Sequence, residues 1–257
     1  MVSTFNMKPS NLKIIGVSSG KGGVGKTTFS INLSAALYEL GVPNIIVDGD
    51  ISNANLSVQL GLHHNSITLQ DLMTEKLNPL HAIRIHPTGL RILPAAISLD
   101  NPNTNIKNLR KYLNPLQETL IMDFPPGTAR NTTELMEACD EIIVITTPEV
   151  TSITDSMKTI ELAKECRKPV AGVIVNRASE DKYELSVGEI QIMCENHILG
   201  VIPDDKKVKR ANFECLPYIF RYPYSKATIE TKRAASRLLG RPYFEPKFSF
   251  FKALFER

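Results

Sequence analysis

Gly20-Lys21-Gly22-Gly23-Val24-Gly25-Lys26-Thr27 stands between an apolar run, Leu12–Val17, and an amphipathic stretch, Thr28–Leu40. These eight residues fit G-x-x-x-x-G-K-[ST], a phosphate-binding loop. Glycines let successive backbone N–H groups turn inward around phosphate oxygens, and a helix beginning near Lys26 presents its positive dipole end there. Lys26 is placed to reach β- and γ-phosphates, the Thr27 hydroxyl to ligate Mg²⁺, and Thr28 to complete the phosphate-binding set.

The same glycines permit a second reading. Gly20-x-Gly22-x-x-Gly25 also fits the dinucleotide fingerprint G-x-G-x-x-G, and Asp48 follows 23 residues after Gly25, near where a ribose-binding acid would sit. Two features decide between them. A dinucleotide turn has no use for Lys26-Thr27, nor for a second apolar strand ending in an acid, which Leu120-Ile121-Met122-Asp123 supplies. The loop binds phosphate.

Outward from the loop, apolar runs alternate with amphipathic stretches. Asn44–Val47, Leu90–Leu93, Leu120–Met122, Glu141–Thr146, Val170–Val175 and Ile198–Ile202 join Leu12–Val17 as short strands. Asn131–Ala138, Ile153–Cys166, Val187–Cys194 and Thr228–Leu239 join Thr28–Leu40 as helices. Continuous apolar strands alternating with helices predict an α/β, three-layer P-loop NTPase sandwich, its mostly parallel sheet flanked by helices. No repeat or long linker divides the chain, so residues 1–241 read as one domain and 242–257 as a C-terminal amphipathic tail.

Ligands of open α/β sheets bind beyond the carboxyl ends of the strands, which gives the strand-ending acids their interest. Asp123 ends such a strand and is the carboxylate expected to hold Mg²⁺, directly or through water. Pro125-Pro126-Gly127 follows as a stiff turn with a flexible joint, suited to sensing a γ-phosphate. No glutamate adjoins Asp123 to act as base. A water-positioning acid must then come from Asp48-Gly49-Asp50, with Asp50 the first choice and Asp48 the second. His63-His64 lacks a third ligand at metal spacing and reads as surface loop.

Composition sets the outer bounds. The 257 residues are 42% apolar and 22% charged, ordinary globular usage that excludes disordered and collagenous classes. No apolar run approaches the ~18 residues of a membrane span, and the polar N-terminus has no signal-peptide core, which predicts a cytoplasmic protein. Cys139, Cys166, Cys194 and Cys215 form no CxxC and read as small buried hydrophobes. The net charge of +3 hides an asymmetry: residues 200–257 hold 13 Lys and Arg against 6 acids. That region either meets an acidic surface or is a solvated basic face.

Lys21, the lysine at the second position of the loop, makes GKGGVGKT a deviant Walker A motif, and over residues 11–240 the chain resembles the MinD/ParA class of P-loop ATPases, the archaeal-type MinD branch most closely. Asp48-Gly49-Asp50-Ile51 with Asn55-Leu56 is similar to the class's first switch segment, and Gly89–Ala95 to its third strand. Thr147-Pro148-Glu149 with Ser152–Ser156 is similar to the helix start after the strand that follows Walker B, and Val175-Asn176-Arg177 and Ile202-Pro203-Asp204-Asp205 to the adenine-binding segments. The resemblance implies ATP and Mg²⁺ as ligands and an ATP-bound homodimer in which Lys21 crosses to the partner subunit's phosphates. It implies an adenine held by the Asn176 amide and by backbone around Pro203, Asp204 and Asp205, with an unidentified activating protein. Asp123-Phe124-Pro125-Pro126-Gly127-Thr128 is also similar to iron–sulfur carriers of the Mrp branch, which use a C-terminal CxxC pair that this chain lacks.

Three functions compete on this basis: a membrane-associated MinD-like switch, a ParA-like ATPase binding DNA, and a cluster carrier. Lys207, Lys209, Arg210, Lys232, Arg233 and Arg237 are the residues that would serve DNA. The tail favours the membrane. On a helix, Phe248, Phe250, Phe251, Leu254 and Phe255 fall on one side, and Ser249, Lys252, Ala253, Glu256 and Arg257 on the other. Such a helix, Phe248–Arg257, would lie in an anionic membrane interface, and a second copy in a dimer would strengthen its hold.

Overall fold

The computed structural model describes residues 13–51, 55–62, 67–96, 106, 108–127, 130–179, 181–247, 249, 252–253 and 256. Eight strands form its sheet: β1 (Ile14–Ser18), β2 (Asn44–Asp48), β3 (Arg84–Ile85), β4 (Arg91–Leu93), β5 (Thr119–Asp123), β6 (Glu141–Thr146), β7 (Val170–Ala178) and β8 (Ile198–Pro203). Their order is β3-β4-β2-β5-β1-β6-β7-β8, parallel throughout except for the short edge strand β3, which runs antiparallel to β4. The expected three-layer sandwich is the fold.

Alternation along the strands divides the core in two. Ile45 and Val47 of β2 face one side while Ile46 faces the other, and Leu120 and Met122 of β5 are split from Ile121 in the same way. Each face is then covered by helices. One layer holds α1 (Lys26–Glu39), α2 (Asn55–Gln59), α8 (Lys206–Phe213), α9 (Tyr218–Arg221) and α10 (Lys226–Leu238). The other holds α3 (Leu69–Glu75), α4 (Leu109–Leu113), α5 (Arg130–Ala138), α6 (Val150–Glu165) and α7 (Val187–Cys194). Helix α1 is buried nearly all round, from Phe29 to Leu37, because β1, β2, β5, α9 and α10 surround it.

The strands read from the sequence are all present, with ends shifted by local causes. Helix α1 starts at Lys26, two residues before the expected start, because Gly25 at φ 93° turns the chain directly into it. Helix α6 starts at Val150 rather than Ile153, and β7 continues to Ala178. Helices α2, α3, α4, α8 and α9 and the short strand β3 are not apparent in the sequence. Leu12 and the His63-His64 pair lie outside the described residues.

Candidate nucleotide site

The central position of β1 is what builds the site. Its carboxyl end feeds the glycine-rich loop, and its neighbour β5, with β2 beyond it, brings Asp123 and Asp48 level as direct register partners. The loop then enters α1 with no side-chain cap and no acid in the first turn. The helix N-terminus is left with bare N–H groups pointing at the cleft, where an anion is the natural cap. Two of the glycines are required. Gly20 lies against the Asp155 carbonyl so closely that a Cβ would collide with it, and Gly25 combines its left-handed φ with the Asn176 amide at the place a Cβ would occupy.

Asp123 is the best-held side chain of the site. Thr27 Oγ1 donates to its Oδ2 at 2.6 Å, Ser30 Oγ donates to Oδ1 at 2.9 Å, and Lys26 Nζ lies 3.7 Å from Oδ1. Sequence reading missed Ser30, which lies one helical turn after Lys26 and whose Oγ also sits 3.1 Å from the Lys26 carbonyl oxygen. Asp48 is fully buried beside this group. Burial first, and then the charges of Asp123 and Asp50, push its carboxyl well above the usual range. Its Oδ1 accepts from the Asp50 backbone N–H at 3.2 Å, while its Oδ2 has no hydrogen-bond partner. Asp50 is 4% exposed and lines the phosphate side of the cleft together with Lys21, Lys26 and Thr27.

A divalent cation fits this corner. The buried, partnerless Asp48 oxygen beside a second carboxylate marks a place short of positive charge, and the donors are hard oxygens. Among the described residues no three His, Cys, Asp or Glu side chains converge on one ion. That suits Mg²⁺, which takes one or two protein oxygens and fills its shell from phosphates and water. Thr27 and Asp123 are the residues in place to hold it.

The cleft has two connected parts. The phosphate side, about 850 Å³, and the base side, about 480 Å³, share Gly25, Thr28 and Arg177 as a common wall. Asn176, Pro203, Asp204 and Asp205, the residues that the resemblance implies for an adenine, all line the base side. Asn176 also has a task within the protein, since its Nδ2 donates to the Val24 carbonyl at 2.7 Å and fixes the loop. The Asp205 carboxylate likewise accepts from the Lys207 N–H and caps α8. Arg177, in the left-handed region at φ 58°, lines both parts of the cleft, and nothing in the sequence beyond its place in the Val175-Asn176-Arg177 segment marks it. Gln59 and Asn212 were missed for a different reason: they reach Thr28 from 31 and 184 residues away.

Lys21 turns away from its own loop. Its Nζ lies 3.5 Å from Thr151 Oγ1 and 3.7 Å from Glu149, at the exposed start of α6. The basic residues of the C-terminal third are mostly engaged. Lys207 pairs with Glu256, Arg210 with Glu214, Lys232 with Glu39, Arg233 with Glu230 and Glu245, and Arg237 bonds the Leu199 carbonyl. These are five of the six side chains that the DNA reading requires to be available, Lys209 being the sixth. The tail brings a second surprise, because its polar side faces the domain. Ser249 is buried, Lys207 Nζ donates to the Ala253 carbonyl at 2.7 Å, and Glu256 accepts from the Tyr224 N–H at 2.6 Å. Phe248, Phe250, Phe251, Leu254 and Phe255 lie outside the described residues, and no described helix is long and apolar enough to cross a membrane.

Comparison with known proteins converges on one group. The family model described as "ParA: NUBPL iron-transfer P-loop NTPase" matches residues 11–238. An uncharacterised ATP-binding protein of Methanocaldococcus jannaschii is 35% identical over 89% of this chain and 88% of its own. The septum site-determining protein MinD of Thermotoga maritima is 32% identical over 79% of this chain and 80% of its own. Among solved structures, the septum site-determining protein MinD of Pyrococcus horikoshii complexed with Mg-ADP superposes with a TM-score of 0.82, at 30% identity over 94% of this chain and 99% of that one.

Proposed function

The chain belongs to the MinD/ParA family of P-loop NTPases, on its MinD branch, and from that premise we propose that it is a Mg²⁺-dependent ATPase working as an ATP-driven dimerisation switch. Its role would be spatial positioning, of a division site or a comparable structure, with peripheral and reversible association with the cytoplasmic face of the cell membrane.

The observation that carries this reading is the corner in which Lys26, Thr27 and Ser30 all meet Asp123 beneath an uncapped helix N-terminus. Thr27 and Asp123 would hold Mg²⁺ there, and the ion would supply positive charge against the charge that develops on the phosphates during transfer. The protein's own part is positional. Loop N–H groups and Lys26 hold the β- and γ-phosphates, Asp123 fixes the Thr27 hydroxyl, and Asp50 orients the attacking water, with Asp48 behind it. The adenine lies in the base cleft against Asn176 and the backbone of Pro203 to Asp205. Lys21, exposed at the rim of the phosphate side with its ammonium at the head of α6, is available to a second subunit, which makes residues 1–241 a domain completed by dimerisation. Residues 242–257 are then the membrane-directed tail, and an activating protein partner completes catalysis.

Two other readings have less support. DNA binding asks for six basic side chains, five of which, all but Lys209, are paired within the domain. Cluster transfer draws on the name of the matching family model, but this sequence has no CxxC pair. Phosphate release measured with and without Mg²⁺ tests the proposal. Turnover should be slow, require Mg²⁺ and disappear in Lys26→Ala along with ATP binding. A Lys26→Ala protein that binds and hydrolyses ATP normally would overturn it.

A further inference from the structure

Where the phosphate and base sides of the cleft meet, three side chains from three distant helices close a triangle. Gln59 Nε2 of α2 donates to Thr28 Oγ1 of α1 at 2.8 Å and to Asn212 Oδ1 of α8 at 3.0 Å. Asn212 Nδ2 donates to the same Thr28 oxygen at 3.3 Å. The amide orientations follow from chemistry. Turning Gln59 over sets its carbonyl against that of Asn212, and turning Asn212 over opposes two NH₂ groups. Turning both asks the single Thr28 proton to serve two acceptors. Only the arrangement in which both amides donate satisfies all three contacts.

That arrangement determines what Thr28 can do. Both acceptor positions on its oxygen are taken, and no acceptor for its proton is present among the described residues. Thr28 is therefore a hydroxyl that can only donate. It lies on the wall common to both parts of the cleft, between the positions of the base and of the β- and γ-phosphates. A ribose hydroxyl arriving there can donate for itself and needs no fixed donor. An α-phosphate oxygen can only accept.

We propose that Gln59 and Asn212 are positioning residues that hold Thr28 as an obligate donor to the α-phosphate, and that through this oxygen they couple the helix beside the phosphates to the helix beside the base. The inference rests on the reading of the cleft as a nucleotide site. It extends that reading to two cleft-lining residues whose task is to orient Thr28.

The test is calorimetric titration of the full chain, in Mg²⁺, with ADP and with the two α-thio diastereomers of ADP. Sulfur accepts hydrogen bonds poorly, so the unaltered chain should bind one diastereomer several-fold more weakly than the other. Thr28→Val, Gln59→Leu and Asn212→Leu should each weaken ADP binding about tenfold and abolish the preference between diastereomers. The preference is a ratio, so it does not depend on the folded fraction of a preparation. Gln59→Glu, of unchanged shape, should lose it too, since a carboxylate accepts the proton that Thr28 must give away. Combining Gln59→Leu with Thr28→Val should be no worse than Thr28→Val alone, because the first acts through the second. Additive losses, or an intact preference in the Gln59 and Asn212 variants while Lys26→Ala fails to bind, would overturn the proposal and leave the nucleotide site standing. Normal ADP binding by Lys26→Ala would instead remove the reading beneath it.

Discussion

Asp123 and Asp50 are both buried carboxylates beside the phosphate loop, yet their surroundings assign them different work. Asp123 is fixed at both oxygens, by Thr27 and Ser30, with Lys26 nearby. A group held so firmly is suited to an ion that must sit in one place. Asp50 follows the strand rather than ending it, and it lines the open phosphate cleft, where an attacking water would approach. Its proposed role matters only in the transition state, so Asp50→Ala should bind ATP within a few-fold of the unaltered chain while turnover falls by 10² or more. Single-turnover phosphate release beside a binding titration checks this, and unchanged turnover would transfer the role to Asp48. Much of this corner was legible in the sequence because a phosphate loop is a local motif, eight consecutive residues with one task. Ser30 was not, because nothing marks a serine inside a buried helix until the strand carrying Asp123 is laid beside it.

Among the elements, legibility followed length and burial. The strands of a parallel sheet buried on both faces are continuous apolar runs, and Ile14–Val17, Ile142–Ile145 and Val173–Val175 announce themselves. Helix α2 has five residues, too few for a period, and α8 (KKVKRANF) buries only Ala211. Its start was signalled all the same by Asp205, a capping residue read from the sequence only as part of a base-binding segment. What ties these two short helices to the sheet edge is again a distant contact. His86, just after β3, is buried, with Nδ1 2.7 Å from Thr88 Oγ1, and the backbone of Leu60 and Cys215, which follow α2 and α8, lies close enough to act on its ring. Burial lowers its pKa, so the native state resists a proton that the unfolded chain accepts at ~6.5. Stability from this group is present above that value and is lost as pH falls below it toward the folded pKa. The melting temperature should decline between pH 7 and 5, and His86→Asn should flatten that part of the curve. Identical slopes for the two proteins would show that other groups set the acid limit.

For the molecule as a whole, the question is what lies beyond one copy of it. Lys21 reaches Thr151 and Glu149 at the exposed head of α6, and Val150 and Met157 on the same helix are exposed apolar residues. If Lys21 serves a second subunit, Lys21→Ala in the Asp50→Ala background should elute as a monomer in ATP, where Asp50→Ala alone elutes as a dimer. Two equal dimer peaks would return Lys21 to its own loop. The tail poses the harder problem, because it is tied down by its polar side. Glu256 holds both Lys207 and the Tyr224 N–H, Lys207 caps the Ala253 carbonyl, and the Lys252 ammonium lies over the Tyr224 ring. Lys207 belongs to α8, whose next turn carries Val208 and Asn212 on the base side of the cleft. A nucleotide entering that cleft meets the helix that holds the tail. Glu256→Lys would break this clasp and also add positive charge to a segment proposed to meet anionic lipid. Pelleting with vesicles containing anionic phospholipid should therefore rise for Glu256→Lys in ADP, to near the level that the unaltered protein reaches in ATP. Truncation after Pro246 should abolish pelleting in both nucleotides and leave ATP hydrolysis intact. A clasped tail that serves only as the last piece of the core gives the opposite pattern: Glu256→Lys lowers the melting temperature, truncation lowers it further, and neither protein pellets with vesicles in any nucleotide.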